Sequence, residues 1–171
     1  MRPSEPLPGV HHRPLSPIED DRGSFVELFR GDDYPLPFVQ ANLSISDAGV
    51  LRGLHFHRVQ ADLWVVVEGR IQVGLADLRE QGGKPATATV EMSADRPSTL
   101  YLPPGVAHGF LALTRSRLLY LVTTEYDGGD EYGIAWDDDS LALDWATTTP
   151  ILSERDTANP RLTWDEIPAF S

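Results

Sequence analysis

The amino-acid sequence predicts an all-β protein, and three observations support this prediction. Short apolar or alternating segments recur at intervals of roughly 8–12 residues and are separated by glycine and proline. One of them, residues 40–46, alternates polar and apolar residues without interruption, as a strand with two different faces does. No segment before residue 135 has the period of an amphipathic helix. Together these features predict a β-barrel or β-sandwich.

The elements are expected in a simple order along the chain. Residues 1–17 contain five prolines and are expected to form an irregular N-terminal arm, followed by a single domain over residues 18–171. An acidic stretch at residues 137–139 is expected to be a solvated turn, and the tail from residue 147 to be short helical or irregular. The predicted strands cover residues 24–29, 40–46, 49–57, 63–67, 71–78, 87–92, 99–102, 108–113 and 118–124.

The composition excludes several classes of partner and site but does not identify a function. The formal net charge of −12 argues against nucleic acid or an anionic membrane as a partner. There are no cysteines, which excludes disulfides, thiolate nucleophiles and zinc–thiolate sites. The sequence shows no signal peptide and no apolar run near the roughly 20 residues that span a bilayer, so a cytoplasmic location is expected. Lys84 is the only lysine, and it lies in a glycine-containing loop.

Two histidines stand two residues apart in a predicted strand. His55 and His57 therefore point to the same side. Asp62 follows them, and Pro103-x-Gly105-x2-His108 comes later in the chain. The pattern resembles the two motifs of the cupin superfamily, a double-stranded β-helix or jelly roll. In metal-binding cupins such a set holds a divalent ion, here through His55, His57, Asp62 and His108; alternatively, His57 packs or hydrogen-bonds without a metal.

A longer series of motifs runs in order from residue 22 to about residue 160. They are Arg22-Gly23-x-Phe25-x-Glu27, Gln40-x-Asn42-x-Ser44, Gly49-Val50-Leu51-Arg52-Gly53-Leu54-His55-Phe56, Ala107-His108-Gly109-Phe110, Tyr126-x4-Glu131 and Leu152-Ser153-x2-Asp156-x3-Pro160. This series resembles the dTDP-4-dehydrorhamnose 3,5-epimerase family. The resemblance implies a cupin fold, no metal or other cofactor, and a homodimer in which an N-terminal strand contributes to the partner subunit's site.

The resemblance also implies an activity and a set of site residues. The family's members are isomerases of deoxysugar biosynthesis, and their substrate is a nucleotide sugar whose C4 ketone acidifies the protons on C3 and C5. His55 matches the family's base, Asp156 the carboxylate that orients it, and Tyr126 the acid on the opposite face. The residues that match substrate-binding positions are Arg22, Phe25 and Glu27 for the nucleotide, Arg52 for the diphosphate, and Gln40, Asn42, His57 and His108 for the pocket.

The sequence departs from the family at one position in the pocket. Asp62 aligns with a lysine that is held to stabilise the enolate oxyanion, and a carboxylate there opposes enolate formation. A protonated His57 could supply the missing cation, or a metal on the four-residue set could polarise the ketone. A third possibility is that the fold and the nucleotide-sugar pocket are kept while the reaction has changed. The alternatives to an epimerase are a metal-dependent cupin enzyme acting on another small molecule and a catalytically silent nucleotide-sugar-binding cupin.

Overall fold

The computed structural model describes residues 2–80, 82–126 and 128–170, and the regular structure in these ranges is almost entirely β. A four-residue helix, α1 (Glu154–Thr157), and 3₁₀ turns at Gly31–Asp33 and Trp164–Glu166 are the exceptions within them. In chain order the strands are β1 (His11–Pro14), β2 (Ile18–Asp20), β3 (Gly23–Phe25), β4 (Gln40–Ser46), β5 (Leu51–Phe56), β6 (Asp62–Glu68), β7 (Arg70–Asp77), β8 (Thr87–Ser93), β9 (Ser98–Leu102), β10 (Val106–Ala112), β11 (Ser116–Val122) and β12 (Tyr132–Gly133).

The strands form two antiparallel five-stranded sheets and one separate hairpin. The first sheet has the order β1-β9-β6-β11-β4 and the second the order β12-β5-β10-β7-β8, while β2 pairs with β3 alone. Neighbours in each sheet are mostly distant in sequence, so the chain passes repeatedly from one sheet to the other, as in a jelly roll. The predicted all-β architecture with an irregular C-terminal region is confirmed.

The core lies between the sheets, and a second apolar cluster lies under the C-terminal tail. Trp64 and Phe110, one from each sheet, pack edge to face at 5.8 Å among the buried aliphatic residues of the core. On the far side of β5, Leu54 and Phe56 are covered by residues from 134 onward, including Trp145. The tail therefore has little regular structure but is fixed by burial of its apolar side chains.

Strand β4 presents its faces in the reverse of the usual order. It lies at the edge of the first sheet, with Gln40, Asn42 and Ser44 turned inward. Leu43 and Ile45 point outward and are about half exposed, at 54% and 47%. Alternation by itself allows either a polar face in water or amides that line a cavity, and the structure shows the second arrangement.

The close approach of β5 and β10 sets the position of the histidines. A Cβ on Gly109 would lie 2.6 Å from the carbonyl oxygen of Arg52, and Gly53 adopts a positive φ of 116° against the same crossing. Only glycine fits both positions. The register shifts between His108 and Phe110, and this shift leaves His55 directly opposite His108.

Three local expectations are wrong. Residues 1–17 are not an irregular lead-in throughout, because β1 pairs with β9 and Val10 is fully buried. The strand expected over residues 24–29 is confined to β3, since the chain there leaves the sheets. The acidic turn at residues 137–139 is not fully solvated: Asp138 is buried, where its carboxylate accepts hydrogen bonds from Ser140 and from the backbone N–H of Leu162.

Candidate active site

A cavity of about 310 Å³ lies between the two sheets and is lined mainly by polar side chains. Strands β4, β6 and β11 form one wall, and β5 and β10 form the other. Tyr126, Glu131 and Arg155 lie outside these strands and also line the cavity. The lining residues are Gln40, Asn42, Ser44, Arg52, His55, His57, Gln60, Asp62, Trp64, His108, Phe110, Leu118, Tyr120, Val122, Tyr126, Glu131 and Arg155.

His55 and Asp156, which are far apart in sequence, form a hydrogen-bonded pair at this cavity. Asp156 Oδ1 lies 2.7 Å from His55 Nε2. The other carboxylate oxygen accepts a hydrogen bond from Ser153 Oγ, and Ser153 in turn caps α1. Because the carboxylate requires a proton on Nε2 of neutral His55, the lone pair of that ring lies on Nδ1. The pair therefore presents one imidazole nitrogen as a base.

The environment of Asp156 keeps this carboxylate ionised. Burial alone raises its pKa, but the hydrogen bond and the charge of His55, the Ser153 hydroxyl and the backbone N–H of Gly53 outweigh burial, so the net pKa is lowered. An ionised carboxylate on Nε2 favours the imidazolium that forms when Nδ1 takes a proton. This is the electrostatic arrangement that a histidine base requires.

Two arginines line the cavity, and one of them is paired with a cavity carboxylate. Arg155 Nη1 lies 2.8 Å from Glu131 Oε1, and the same oxygen lies 3.7 Å from His55 Nδ1. Arg52 is exposed and is oriented by hydrogen bonds to Ser46 Oγ and to a backbone carbonyl of β4. Arg52 lines the cavity with its charge available to an anionic group of a ligand.

His57, Asp62 and His108 form a second group, separate from the His55–Asp156 pair. One ligand atom from each of the three lies within 4.8 Å of the other two. His57 Nδ1 is bonded to the backbone carbonyl of Asp130, and His108 Nδ1 lies 2.9 Å from that of Val106. The four-residue set expected from the cupin pattern therefore divides: His55 is engaged by Asp156, and the other three residues stand together.

Asp62 is held by neutral hydrogen-bond donors. Its Oδ1 accepts from Gln60 Nε2 at 2.8 Å, and its Oδ2 accepts from Trp64 Nε1 at 3.1 Å. The same Gln60 nitrogen lies 3.2 Å from His57 Nε2, while the Gln60 carbonyl oxygen accepts from Thr124. Gln60 thus bridges His57 and Asp62 at the floor of the cavity.

His108 is neutral at physiological pH. Its complete burial lowers the pKa to about 4, and the opposing attraction of Asp62 does not offset this. Since Nδ1 donates to a carbonyl, the Nε2 of the neutral ring carries the lone pair, and this atom lies 3.9 Å from Asp62 Oδ2. The hypothesis that His57 is a cation also meets a difficulty, because His57 Nε2 faces an amide NH₂ that serves as a donor.

Tyr126 and the amides of β4 lie where the sequence placed them, at the cavity. Tyr126 is 71% exposed at the mouth, and its backbone N–H donates to the side chain of Gln40. Gln40 in turn donates to Asn42 at 2.9 Å. The backbone of Tyr126 is thus held by β4, whereas His55 lies on β5.

The expected nucleotide-binding residues are not brought to this cavity. Arg22, Phe25 and Glu27 are absent from its lining among the described residues. Arg22 is paired with Asp20, Glu27 with Arg30, and Phe25 is 66% exposed. These residues belong to or follow the β2–β3 hairpin, which stands apart from both sheets.

Several residues of the cavity lining were not identified from the sequence. Gln60 and Trp64 each stand two residues from Asp62, so the strand alternation that placed Asp62 could have placed them on the same face. Arg155 adjoins Asp156, but nothing in the pattern distinguishes it from a surface cation. The sole lysine, Lys84, is exposed in the β7–β8 loop and is not part of the cavity lining.

Comparison with known proteins shows the family to which this chain belongs. Residues 4–163 match the family model of dTDP-4-dehydrorhamnose 3,5-epimerase. The spore coat polysaccharide biosynthesis protein SpsL of Bacillus subtilis is 41% identical over 147 residues, which cover 82% of this chain and 97% of that protein. An epimerase of Mycobacterium tuberculosis superposes with a TM-score of 0.86 at 34% identity, covering 94% of this chain and 88% of the other.

A further solved structure carries a ligand. The dTDP-6-deoxy-D-glucose-3,5-epimerase of Legionella pneumophila, in complex with dTDP-4-keto-L-rhamnose, matches with a TM-score of 0.85 at 29% identity. The match covers 95% of this chain and 94% of the other. These similarities confirm the predicted cupin jelly roll. Among the described residues, no helix is long and apolar enough to cross a membrane.

Proposed function

Because the chain belongs to the dTDP-4-dehydrorhamnose 3,5-epimerase family, we propose that it epimerises a dTDP-4-keto-6-deoxy sugar by removing a proton next to the C4 ketone. The enzyme is then an isomerase of deoxysugar biosynthesis, and it acts in the cytoplasm, where nucleotides are made. The observation that carries the proposal is the His55–Asp156 pair, at 2.7 Å, on an open polar cavity.

The first step is proton abstraction by His55. Nδ1 takes the proton from C3 or C5, the electron pair of that C–H bond forms a carbon–carbon double bond to C4, and the carbonyl π electrons move to the C4 oxygen. Asp156 stabilises the resulting imidazolium through its hydrogen bond to Nε2. The buried position of Asp156 strengthens this stabilisation relative to water.

The second step returns a proton to carbon from the opposite face. Tyr126 is one of two tyrosines in the cavity lining, and it is the exposed one, at 71%, with its backbone bonded to β4 rather than to β5. Its hydroxyl gives a proton to the enolate carbon as the carbonyl reforms, which inverts that centre. The resulting phenolate and imidazolium recover their resting protonation states by exchange with solvent.

We assign the binding of the nucleotide diphosphate to Arg52 and to a second subunit. Arg52 is exposed at the cavity and can pair with a phosphate oxygen. Arg22, Phe25 and Glu27 remain our proposed nucleotide-binding residues, reaching the cavity of a partner subunit in a homodimer. Large exposed apolar side chains on the separate hairpin support this: Ile18 is 69% and Phe25 66% exposed.

The test is deuterium incorporation, followed by NMR. The protein is incubated in deuterated water with dTDP-4-keto-6-deoxyglucose, and the signals at C3 and C5 are recorded. We expect deuterium to enter at one or both carbons, and His55→Ala to abolish this entry. His11→Ala, which removes a histidine of β1 outside the cavity lining, serves as the matched control and should retain wild-type exchange. Equal exchange in His55→Ala and wild type would refute the assignment of the base.

Binding measured separately from turnover distinguishes the silent alternative. A nucleotide-sugar-binding protein without activity would bind dTDP but show no exchange in the wild type, and His55→Ala would change neither result. An epimerase in which His55 is the base should bind dTDP equally well with and without His55, while only the wild type exchanges deuterium. Titration calorimetry with dTDP on the wild type and on His55→Ala measures the binding affinity.

A further inference from the structure

The proposed reaction places a negative charge on the C4 oxygen of the substrate, and the cavity floor holds a carboxylate rather than a cation. Asp62 is 4% exposed, and its described hydrogen-bond donors, Gln60 and Trp64, are both neutral. Because like charges repel, this carboxylate opposes an enolate in the cavity. Enzymes that form such anions direct a hydrogen-bond donor at the atom where the charge develops. The cavity is therefore expected to contain a donor that the protein itself leaves unused.

The polar groups that surround Asp62 do not supply this donor. His57 and His108 each give the Nδ1–H to a backbone carbonyl, so the Nε2 of each neutral ring carries a lone pair. The amide of Gln60 has two hydrogens, and its described partners are Asp62 Oδ1 and His57 Nε2. The indole N–H of Trp64 is bonded to Asp62 Oδ2. The donor hydrogens of this group are thus taken up by other groups of the protein.

Tyr120, in the middle of β11, presents a hydroxyl that has no protein partner. It lines the cavity and is half-buried, and its hydroxyl forms no hydrogen bond with any described residue. In the sheet it lies opposite Trp64 of β6 on one side and Asn42 of β4 on the other. Asp62 is two residues from Trp64 on the same face, so it is the diagonal neighbour of Tyr120 across the two strands. The phenol therefore belongs to the wall that stands against the one carrying His55.

The phenol of Tyr120 is neutral at physiological pH and keeps its proton available as a donor. Burial and the charges of Asp62 and Glu131 raise its pKa above the ordinary value of 10, against an opposing effect of Arg52. A neutral phenol is not a base, which leaves removal of the proton from carbon to His55. It can donate its O–H to an oxygen that becomes an anion, and such hydrogen bonds are short and strong.

Two other neutral donors line the same wall, Asn42 and Ser44. An amide N–H and an aliphatic hydroxyl are less acidic than a phenol and bond an anion more weakly. Both residues lie on β4, which β11 separates from the strand that carries Asp62. Of these donors, Tyr120 is therefore the strongest and the nearest to the carboxylate whose effect must be offset.

We propose that the Tyr120 hydroxyl donates a hydrogen bond to the C4 oxygen of the substrate and stabilises the enolate that forms there. The assignment rests on the proposed function. As His55 takes the proton, the electron pair of the C–H bond forms the carbon–carbon double bond and the carbonyl π electrons move to the C4 oxygen. The phenol keeps its proton throughout, and its hydrogen bond strengthens as the charge on that oxygen grows. Tyr120 thus acts on oxygen, whereas Tyr126 gives its proton to carbon.

The test is the initial rate of deuterium entry in Tyr120→Phe, with dTDP-4-keto-6-deoxyglucose in deuterated water. We expect the rate to fall by about 10²–10³-fold, the loss that removal of one oxyanion donor produces, at whichever carbons the wild type exchanges. Affinity for dTDP, measured by titration calorimetry, should be unchanged, which also shows that the variant is folded. Tyr101→Phe removes the hydroxyl of a buried tyrosine of β9 outside the cavity lining, and this matched control should exchange at the wild-type rate.

The outcomes separate this assignment from the proposed function. Deuterium entry at the wild-type rate in Tyr120→Phe would overturn the role of Tyr120 and leave the epimerase function intact. A slower rate matched by an equal loss of dTDP affinity would also overturn it, because the hydroxyl would then act in binding rather than on the enolate. Absence of exchange in the wild type would refute the epimerase function itself. A slow Tyr120→Phe beside a Tyr126→Phe that admits deuterium without inversion supports two phenols with separate roles.

Discussion

Substitution of His108 should change how the stability of the metal-free protein depends on pH. Burial lowers the pKa of His108 to about 4, well below the value of about 6.5 in an unfolded chain. Between about pH 4 and pH 6.5, His108 is therefore protonated in the unfolded chain but neutral in the folded protein. The folded state is favoured above pH 6.5, and this advantage is lost as the pH falls toward 4.

The magnitude follows from these two values. Integration of proton binding between pH 7 and pH 5 gives a loss of about 2 kcal/mol from His108 alone, and the full effect below pH 4 approaches about 3 kcal/mol. Carboxylates with lowered pKa values, such as Asp156 and Asp138, lose their contribution only at still lower pH. Burial also lowers the pKa of His12, which therefore contributes in the same interval, so the effect of His108 is taken from the difference between the wild type and a His108 variant.

The assay is urea denaturation in the presence of chelator at pH 7, 6 and 5, with wild type and His108→Gln in parallel. The wild type should lose about 2 kcal/mol more of its unfolding free energy over this interval than the variant does. Glutamine is expected to lower the stability at pH 7, because it disturbs a buried site, but to flatten the pH profile. Parallel profiles for the two proteins would refute the conclusion that His108 is buried in the neutral form.

Three further predictions concern the proposed catalytic pair, the proposed acid and the crossing of β5 and β10. Asp156→Asn should slow deuterium exchange by roughly 10²–10⁴-fold, because the amide cannot stabilise the imidazolium; an unchanged rate would remove Asp156 from the pair. Tyr126→Phe should retain deuterium entry through His55 but lose inversion, as seen by NMR coupling constants, and full inversion would show that another group is the acid. Gly109→Ala should cost about 1–3 kcal/mol in thermal unfolding, because its Cβ would meet backbone at 2.6 Å, whereas Gly83→Ala, in open space, should be close to neutral.

Most of the strands could be predicted from the sequence because their signal is local. Alternation and apolar runs located β4, β6, β7 and β8 to within one or two residues. The orientation of β4 could not be predicted, since alternation separates two faces but does not say which one is enclosed. Strand β1 was missed because proline-rich sequence indicates irregular structure, while its pairing with β9 depends on residues about ninety positions away.

In the candidate site, too, the features set by local spacing could be predicted, whereas contacts between distant residues could not. The spacing of His55 and His57 placed both on one side of β5, and both line the cavity. Spacing alone could not join His55 to Asp156, which follows it by 101 residues; only the family resemblance suggested that pair. Nor could spacing show that His55 stands apart from the other three expected metal ligands and bonds Asp156 instead, because this depends on α1 reaching β5.

The exposed position of Lys84 has a practical consequence. As the chain's only lysine, on the β7–β8 loop and outside the cavity lining, it offers one side-chain amine for chemical attachment. Coupling through that amine would fix the protein to a sensor surface or carry a fluorophore while the cavity stays accessible to solvent. The same placement means that inhibitors that depend on capturing a lysine amine find none in the described cavity lining.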